Sequence, residues 1–573
     1  MASRLVRPVL ILLLTASAVT SLAVSTASAP PPLSDVGRWS EPFEGGVPAV
    51  NMILLHDGSV LYYSGNEGGD QDWVYFLNAT LEGQARVLHP PYSNTDVAVP
   101  GNEFGGEGDL FCSGDTVLSD GRVLVVGGTE GRTLPDLATP LTGLDDVRIF
   151  DPSLGTDGAF TDASDMRWNR WYPSAIALSD GRALVASGIG DLTNPAEQWP
   201  QVEVYGADGQ WTYLHGADNF LPLYPRLFLV PGGPLKGQVL YSTVGTLWGT
   251  FGEHPLEARW NLQQSLDISE HGISATDELV GARWTVHGPS VFGVRQHANV
   301  VPLLLDPDRD YAPELLTFGG SLNRGIAATP LVEKADLAGI PALDVPIVNT
   351  PMAPMHYPRW HGNGVLLPSG EVLAIGGGLY DNVVVHGQRN VGVLPAESFD
   401  PSTGTWTELA PMQVNRTYHS TAVLLPDGRV LVGGHVPLAV PWTIFRDNAP
   451  MDLEKQIAET RLEIFEPPYL FRGARPTIDA VSDTDLTFSE EFDVTTTDAA
   501  SATAVLMRPS STTHAFDADQ RGILLEGTAD GSTLTLVAPP DGTVAPPGWY
   551  MLFLVKDNGA GPTPSVATWV HVG

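Results

Sequence analysis

The sequence predicts an all-β protein: a seven-bladed β-propeller followed by a small β-sandwich. Three observations carry this expectation. Apolar runs are short and end on Asp-Gly or Gly-Gly, with 61 glycines and 48 prolines in 573 residues, which is high for a helical chain. One phrase recurs through residues 30–474: an apolar run, a turn on Asp-Gly, a second apolar run, then Gly-Gly. From Arg475-Pro476 onward the phrase stops, and about 100 residues of short β-rich runs follow.

Residues 1–29 read as an export signal. Arg4 and Arg7 are the basic region, Val9 to Val19 is an apolar stretch too short to span a bilayer, and the small residues Ser25 to Ala29 close it. Nothing later is long enough to cross a membrane, so the mature chain is expected to be secreted, soluble and monomeric. Against 30 basic residues stand 66 acidic ones, a net charge of −36. Such a surface repels phosphate backbones, which excludes nucleic acid as a partner.

Copies of the phrase turn at Asp57-Gly58, Asp120-Gly121, Asp180-Gly181, Ser369-Gly370 and Asp427-Gly428. The second, fourth and fifth close on Gly127-Gly128, Gly376-Gly377 and Gly433-Gly434, and the third on Gly188. Two degenerate copies, 229–245 and 299–320, bring the total to seven. A period of roughly 50–60 residues with this punctuation predicts a kelch-type propeller, each blade being a sheet that cannot bury both faces alone. Asp-Gly suits the tight turn because Gly accepts positive φ and Asp bonds its own backbone.

The strand before each turn is expected to be innermost, so its first residues line one mouth of the central channel. Cys112, Tyr172 and His419 each lie eight residues before the turn residue of their blade, with Tyr418 beside the last. Equivalent positions in different blades converge on one axis, so these residues should meet. Tyr418 and His419 could not both face one ligand in a regular strand, where side chains alternate, but can at an irregular start. His361 also lies eight residues before its turn. Arg359, Trp360 and His361 are thus either a substrate wall or ordinary channel packing. Gln296-His297 precede a degenerate inner strand and either line the channel or lie off it. Tyr224, in Leu223-Tyr224-Pro225-Arg226, reads as the structural opening of a blade, and His56 as a solvated turn residue.

In residues 475–573, β-rich runs at 486–494, 502–507, 522–525, 533–537, 549–556 and 566–572 predict an immunoglobulin-like sandwich. Between two of them lies a long loop, 508–520, which contains His514 and is expected to be functional.

Cys112 is the only cysteine, so no internal disulfide can form. It is either a small buried core residue or already covalently used. Two tyrosines, imidazole and a cysteine at one mouth form a nitrogen and oxygen donor set that suits Cu(II). Copper takes one electron, whereas oxidising an alcohol or aldehyde needs two. A phenol bonded to a thioether sulphur is electron-rich enough to hold the second.

Five stretches carry a resemblance: Phe111-Cys112-Ser113-Gly114, Arg170-Trp171-Tyr172-Pro173-Ser174, Arg416-Thr417-Tyr418-His419-Ser420, Thr513-His514 with Asp519-Gln520-Arg521, and 545–552. Over nearly the whole mature sequence the chain resembles the copper radical oxidases, galactose oxidase and glyoxal oxidase. The resemblance implies one copper ion and a self-derived Cys112–Tyr172 thioether radical cofactor. It implies Tyr172, His419 and His514 as equatorial ligands, and Tyr418 as the axial ligand that takes the substrate proton. Substrate would be a small alcohol, aldehyde or glycan terminus, with O₂ leaving as H₂O₂. At the position where galactose oxidase covers the modified tyrosine with Trp, this chain has Gly190, and no sugar-binding module precedes the first blade. Both departures favour a glyoxal oxidase-like specificity. The alternatives are a non-catalytic propeller binding glycan or protein in the cell envelope, and a copper-binding protein whose cross-link never forms. Asn78-Ala79-Thr80 and Asn415-Arg416-Thr417 match the glycosylation pattern, the second being expected to stay bare.

Overall fold

A computed structural model describes residues 30–63, 73–79, 85–87, 92–93, 108–130, 142–155, 158–191, 198–246, 257–268, 272–273, 279–280, 282–322, 327–339, 345–380, 391–435 and 459–573. The export signal and Thr80 lie outside these residues. Among the described residues seven blades follow one another, each built on four antiparallel strands, with further strands added to the sheets of blades 1, 3 and 7. Their innermost two strands are Asn51–Leu54 and Ser59–Tyr63 in blade 1, Gly114–Val117 and Val123–Val126 in blade 2, and Ser174–Ala177 and Ala183–Ala186 in blade 3. Blade 4 has Leu227–Leu229 and Val239–Tyr241, and blade 5 Asn299–Pro302 and Glu314–Phe318. Blade 6 has Asn363–Leu366 and Val372–Ile375, and blade 7 Ser420–Leu424 and Val430–Gly434. The two degenerate repeats therefore form complete blades. Gly121 shows why the turns use glycine: its φ is +87°.

Blade 7 is closed from the other end of the chain. Arg38–Trp39 pairs antiparallel with Arg461–Glu466, the third strand of that blade. Joining the first and last blades in this way converts an open array into a ring. Second strands such as Val123–Val126 and Val372–Ile375 are buried along their whole length, because blades cover both faces. Burying each Val, Leu or Ile contributes about 1.5–3 kcal/mol.

A buried ion pair recurs from blade to blade. Arg170, Arg295, Arg359 and Arg416 reach Glu203, Glu333, Glu397 and Glu463 at 2.8, 2.7, 2.8 and 3.2 Å, with all eight side chains essentially inaccessible. Each guanidinium also donates to a carbonyl, that of Ser187, Leu331, Gly376 or Gly434. The arginine carbonyl in turn accepts an N–H from the Gly-Gly of the preceding blade: Gly128 to Arg170 at 3.1 Å, Gly320 to Arg359 at 2.7 Å and Gly377 to Arg416 at 2.9 Å. A Cβ on Gly319 would stand 2.5 Å from the Arg359 carbonyl oxygen, so the Gly-Gly signature reports a close backbone approach between blades. Arg359 is thus a clamp within its blade, and its guanidinium is committed to Glu397, Gly376 and Pro395. This corrects its reading as substrate wall.

The C-terminal sandwich pairs Ala480–Val481, Glu491–Thr495, Thr533–Val537 and Gly527–Asp530 in one sheet. Asp485–Leu486, Thr568–Val572, Gly548–Asp557, Ala502–Arg508 and Arg521–Leu525 form the other. The run at 486–494 is split between the two sheets. The segment 508–520 is a hairpin, Ser511–Thr513 against Phe516–Asp517. Ser511–Thr513 also pairs with the innermost strand of blade 1, in the register Asn51–Thr513, Met52–Thr512 and Ile53–Ser511. The cap therefore adds a strand inside the propeller. His56 is not solvated; it stacks on Trp549 of the cap, ring centroids 4.9 Å apart. Among the described residues no helix is long and apolar enough to cross a membrane.

Candidate active site

Six residues at the starts of innermost strands share a left-handed backbone. Cys112 has φ 58°, Tyr172 60°, Tyr224 43°, His297 51°, His361 59° and His419 63°. Residues with a Cβ seldom adopt this conformation, and its recurrence in blades 2 to 7 points to a functional constraint. It also breaks strand alternation, so Tyr418 and His419 both turn inward, their ring centroids 3.7 Å apart. His514, at the tip of the cap hairpin, has φ 49°.

These side chains meet in a fully buried cluster. The phenol oxygens of Tyr172 and Tyr418 are 2.7 Å apart. Cys112 Sγ lies 3.4 Å from His514 Nε2 and 3.9 Å from His419 Nε2, and the donor atoms of Cys112, His419 and His514 fall within 4.8 Å of one another. Thr513 Oγ1 holds His514 Nδ1 at 2.7 Å, which leaves Nε2 for the cluster. Residues from blades 2, 3 and 7 and from the cap thus converge as the register predicts.

The hairpin is held on several sides. Arg226 of blade 4 donates to the His514 carbonyl at 2.5 Å, and Asn299 of blade 5 to the Ala515 carbonyl at 3.1 Å. Gln520 bonds Leu366 N–H and C=O in blade 6 at 2.7 and 3.1 Å. Asp519 accepts from Thr116 and Val117 of blade 2 at 2.8 and 2.7 Å, and Ser511 donates to Asp115.

Burial sets the electrostatics. It pushes the Tyr172 phenol well above its usual range, with Cys112 and Tyr418 adding to the effect. It holds His514 well below the usual histidine range, helped by His419 and the other cluster imidazoles. Neutral imidazoles offer lone pairs, which a metal ligand needs. A phenol that resists ionisation in this setting would lose its proton readily only beside a cation. The donor set, two imidazole nitrogens, two phenol oxygens and an adjacent sulphur, suits copper.

Two neighbours lie outside the ligand set expected from sequence, and one of them, His297, is among the residues expected to line the channel or lie off it. The Tyr224 ring meets Tyr172 edge-on at 4.8 Å and stacks on His514 at 4.6 Å, while its hydroxyl donates to the Ser113 carbonyl at 2.7 Å. His297 lies 5.1 Å from His361 and 5.7 Å from Tyr418, centroid to centroid. Both sit at the blade-start position, but their blades lack the Asp-Gly turn from which the others were counted. Trp360 and His361 do line the channel beside Tyr418, at 5.5 and 5.0 Å. Trp171, next to Tyr172 in the chain, meets its ring edge-on at 4.8 Å. Gly190 lies in a backbone bridge, its carbonyl accepting from Gly143 at 2.7 Å.

The fold and this cluster together are those of a copper-oxidase-like catalytic site. The "Glyoxal oxidase N-terminus" family matches residues 316–469, and the "Galactose oxidase-like, Early set domain" family residues 475–572. A WSC domain-containing protein of Arthroderma benhamiae is 28% identical over 84% of this chain, which spans 48% of that protein. Aldehyde oxidase GLOX of Vitis pseudoreticulata is 27% identical over 81% of this chain and 82% of its own. A solved structure of a fungal alcohol oxidase of the AA5 family, in complex with copper, superposes with a TM-score of 0.71 at 23% identity, covering 94% of this chain and 100% of that one. Over most of its length the chain is thus similar to the copper radical oxidases, the galactose oxidase and glyoxal oxidase-like AA5 group.

Proposed function

We propose that the protein is a secreted oxidase that converts a small aldehyde or primary alcohol to its two-electron product and passes the electrons to O₂, releasing H₂O₂. The observation that carries this reading is the buried meeting of Cys112, Tyr172, Tyr418, His419 and His514 from three blades and the cap. A non-catalytic binding propeller has no use for such a set. Tyr172, Tyr418, His419 and His514 would hold one copper ion. Copper supplies a one-electron acceptor and a Lewis acid to which a substrate hydroxyl can bind.

The chain's own residues do the rest. Tyr418, 2.7 Å from the Tyr172 oxygen, takes the substrate hydroxyl proton. Tyr172, once joined through its ring to Cys112 sulphur, would carry the second oxidising equivalent and take hydrogen from the substrate carbon. Tyr224 and Trp171, packed edge-on to Tyr172, exclude water from that ring. Small aldehydes are favoured over galactose because Gly190 offers no side chain for a sugar to stack on.

A second reading also has an observation behind it. Cys112 Sγ lies close enough to both imidazoles to act as a thiolate ligand itself, which would describe a copper protein without the cross-link. The likeness to the copper radical oxidases and the contact of Cys112 with Tyr172 favour the radical site. The test is a peroxide-coupled screen of copper-loaded protein against glyoxal, methylglyoxal, glycolaldehyde and galactose. The small aldehydes should release more H₂O₂ than galactose. Strict preference for galactose would overturn the specificity, and absence of peroxide with every substrate would overturn the oxidase.

A further inference from the structure

Arg226, in blade 4, stands apart from every other deeply buried arginine among the described residues, because no acid accompanies it. Six arginine side chains are 1% exposed or less. Five of them, Arg148, Arg170, Arg295, Arg359 and Arg416, have a carboxylate within 3.9 Å. Arg226 has carbonyls instead: Nη1 donates to that of Tyr224 at 2.7 Å, and Nη2 to those of His514 at 2.5 Å and Ala298 at 3.5 Å. Its Nε is sealed from solvent without a partner, and its guanidinium carbon lies 5.4 Å from the centroid of the Phe516 ring. Carbonyl dipoles solvate a cation but do not neutralise it, and an unpaired charge is among the most unfavourable groups to bury. Burial pulls this guanidinium down to about 9, which leaves it charged at neutral pH.

The place of this charge says what offsets it. Tyr224 opens the innermost strand of blade 4, Ala298 precedes that of blade 5, and His514 is the tip of the cap hairpin, so the guanidinium sits where two blades and the cap meet. Holding the hairpin does not by itself call for a cation. Asn299 holds the neighbouring Ala515 carbonyl at 3.1 Å with a neutral amide. The charge does reach the cluster. Burial holds His514, His361 and His297 well below the usual histidine range, and Arg226 adds to this in all three. A buried cation is favourable only where negative charge collects, and here no carboxylate supplies it. Ligand chemistry at the cluster can. A cupric ion with two phenolates is neutral as a group, and an anion that joins them leaves the site one charge negative in a medium without water, where Coulomb terms are large.

Resting on the oxidase reading above, we propose that Arg226 is a positioning residue whose buried charge, brought to the site through the His514 carbonyl, selects for negative charge at the copper. The ligand it favours is a small anion: a substrate oxygen that has lost its proton, or an inorganic anion in the same position. The substrate hydroxyl proton passes to Tyr418, and the oxygen left behind is negative and better accommodated with Arg226 present. The same charge favours the reduced metal over the oxidised one, since reduction removes one positive charge from its surroundings. Both effects belong to a single unit of charge. They disappear together when it is removed, while neutral ligands are indifferent to it.

The test uses the full-length, copper-loaded protein with inorganic azide as the anionic ligand and pyridine as the neutral one. Binding of each is read from the copper absorption and electron-spin spectra. Arg226→Gln and Arg226→Met both remove the charge, the first keeping a donor for the carbonyls and the second a stem against Phe516. Each should bind azide about tenfold more weakly than the wild type, with pyridine affinity and copper content unchanged. The copper potential should fall by the same factor in its equilibrium, about 59 mV for one electron. Either variant decides the matter should the other not fold. Unchanged azide binding, equal weakening of azide and pyridine, or loss of copper would leave Arg226 a pin for the hairpin and overturn the proposal. Wild-type protein that takes up no copper would overturn the proposal together with the reading beneath it. Copper uptake with no peroxide from any substrate would overturn the oxidase reading alone, while azide binding still judges Arg226.

Discussion

Cys112 is buried against the Tyr172 ring, and its backbone is held at φ 58° by the turn that starts the innermost strand of blade 2. Its carbonyl accepts the Tyr172 N–H at 3.1 Å, which ties the two residues together through backbone as well as side chain. A thiol held beside an electron-rich ring and a candidate copper site is arranged for cross-linking: the S–H and one ring C–H are lost, a C–S bond forms, and O₂ takes up the two protons and two electrons as H₂O₂. Copper-treated protein should therefore be two hydrogens lighter by mass spectrometry than metal-free protein made without oxygen. Once denatured it should titrate no thiol, even after strong reductant, and it should run faster on a denaturing gel because a loop of about sixty residues is closed. Cys112→Ser should abolish all three effects. An active, copper-loaded protein that still titrates one thiol would leave only the thiolate-ligand reading.

At the scale of the element, two devices position the site. The first is the buried Arg–Glu clamp that precedes Tyr172, His297, His361 and Tyr418. Burial holds the Arg170 guanidinium below its usual range, a sign that the desolvation cost outweighs what Glu203 returns. Removing the carboxylate leaves that cost uncompensated, so Glu203→Ala should lose about 3–5 kcal/mol, read as a lower midpoint in chemical denaturation. The second device is the cap hairpin. Asp517 accepts backbone N–H groups from Ser511, Asp519 and Gln520 at 3.2, 3.1 and 2.9 Å, although its Oδ2 is sealed from solvent without a partner. Burial pushes this carboxyl up to about 7, and Asp115 below the hairpin up to about 6. A carboxyl raised in the folded state favours folding below its unfolded value near about 4, and that contribution is lost as pH rises through the folded value. Metal-free protein should therefore lose stability between roughly pH 4 and 7, and Asp517→Asn, which keeps an oxygen acceptor but cannot titrate, should flatten the decline. An identical pH profile for both proteins would place the titration elsewhere.

Across the whole molecule, the excess of acidic residues sets the field that an incoming substrate crosses. A net charge of −36 repels anions at long range and leaves neutral molecules indifferent. Screening shortens the reach of that field from about 30 Å at 0.01 M salt to about 8 Å at 0.15 M. The KM for glyoxylate, an anionic aldehyde, should accordingly fall several-fold over that range, while the KM for glycolaldehyde stays constant. Equal salt dependence for the two would mean that the channel mouth is locally neutral despite the net charge.

Much of the architecture was determined locally. Asp-Gly turns, Gly-Gly punctuation and short apolar runs specify strands and their partners within about fifty residues, and a regular period is enough to predict a propeller. Register did the same for Cys112, Tyr172, His361 and His419, because a constant count back from a turn is a constant place in a blade. Where the turn degenerates, as near Gly232 and Leu305, the count has no origin, so Tyr224 read as a structural blade opening and His297 only as a residue able to line the channel. His514 stood out as part of a long loop expected to be functional, but its place among the ligands came only through likeness to a family, since no period links the cap to the ring. The tertiary structure decided the rest: Arg38–Trp39 closing blade 7, the cap hairpin entering blade 1 as an extra strand, Arg359 turning to Glu397, and left-handed backbones that turn Tyr418 and His419 inward together. These depend on surfaces brought together from positions up to about four hundred residues apart, where the free energy lies in burial and shape complementarity and leaves no repeating mark along the chain.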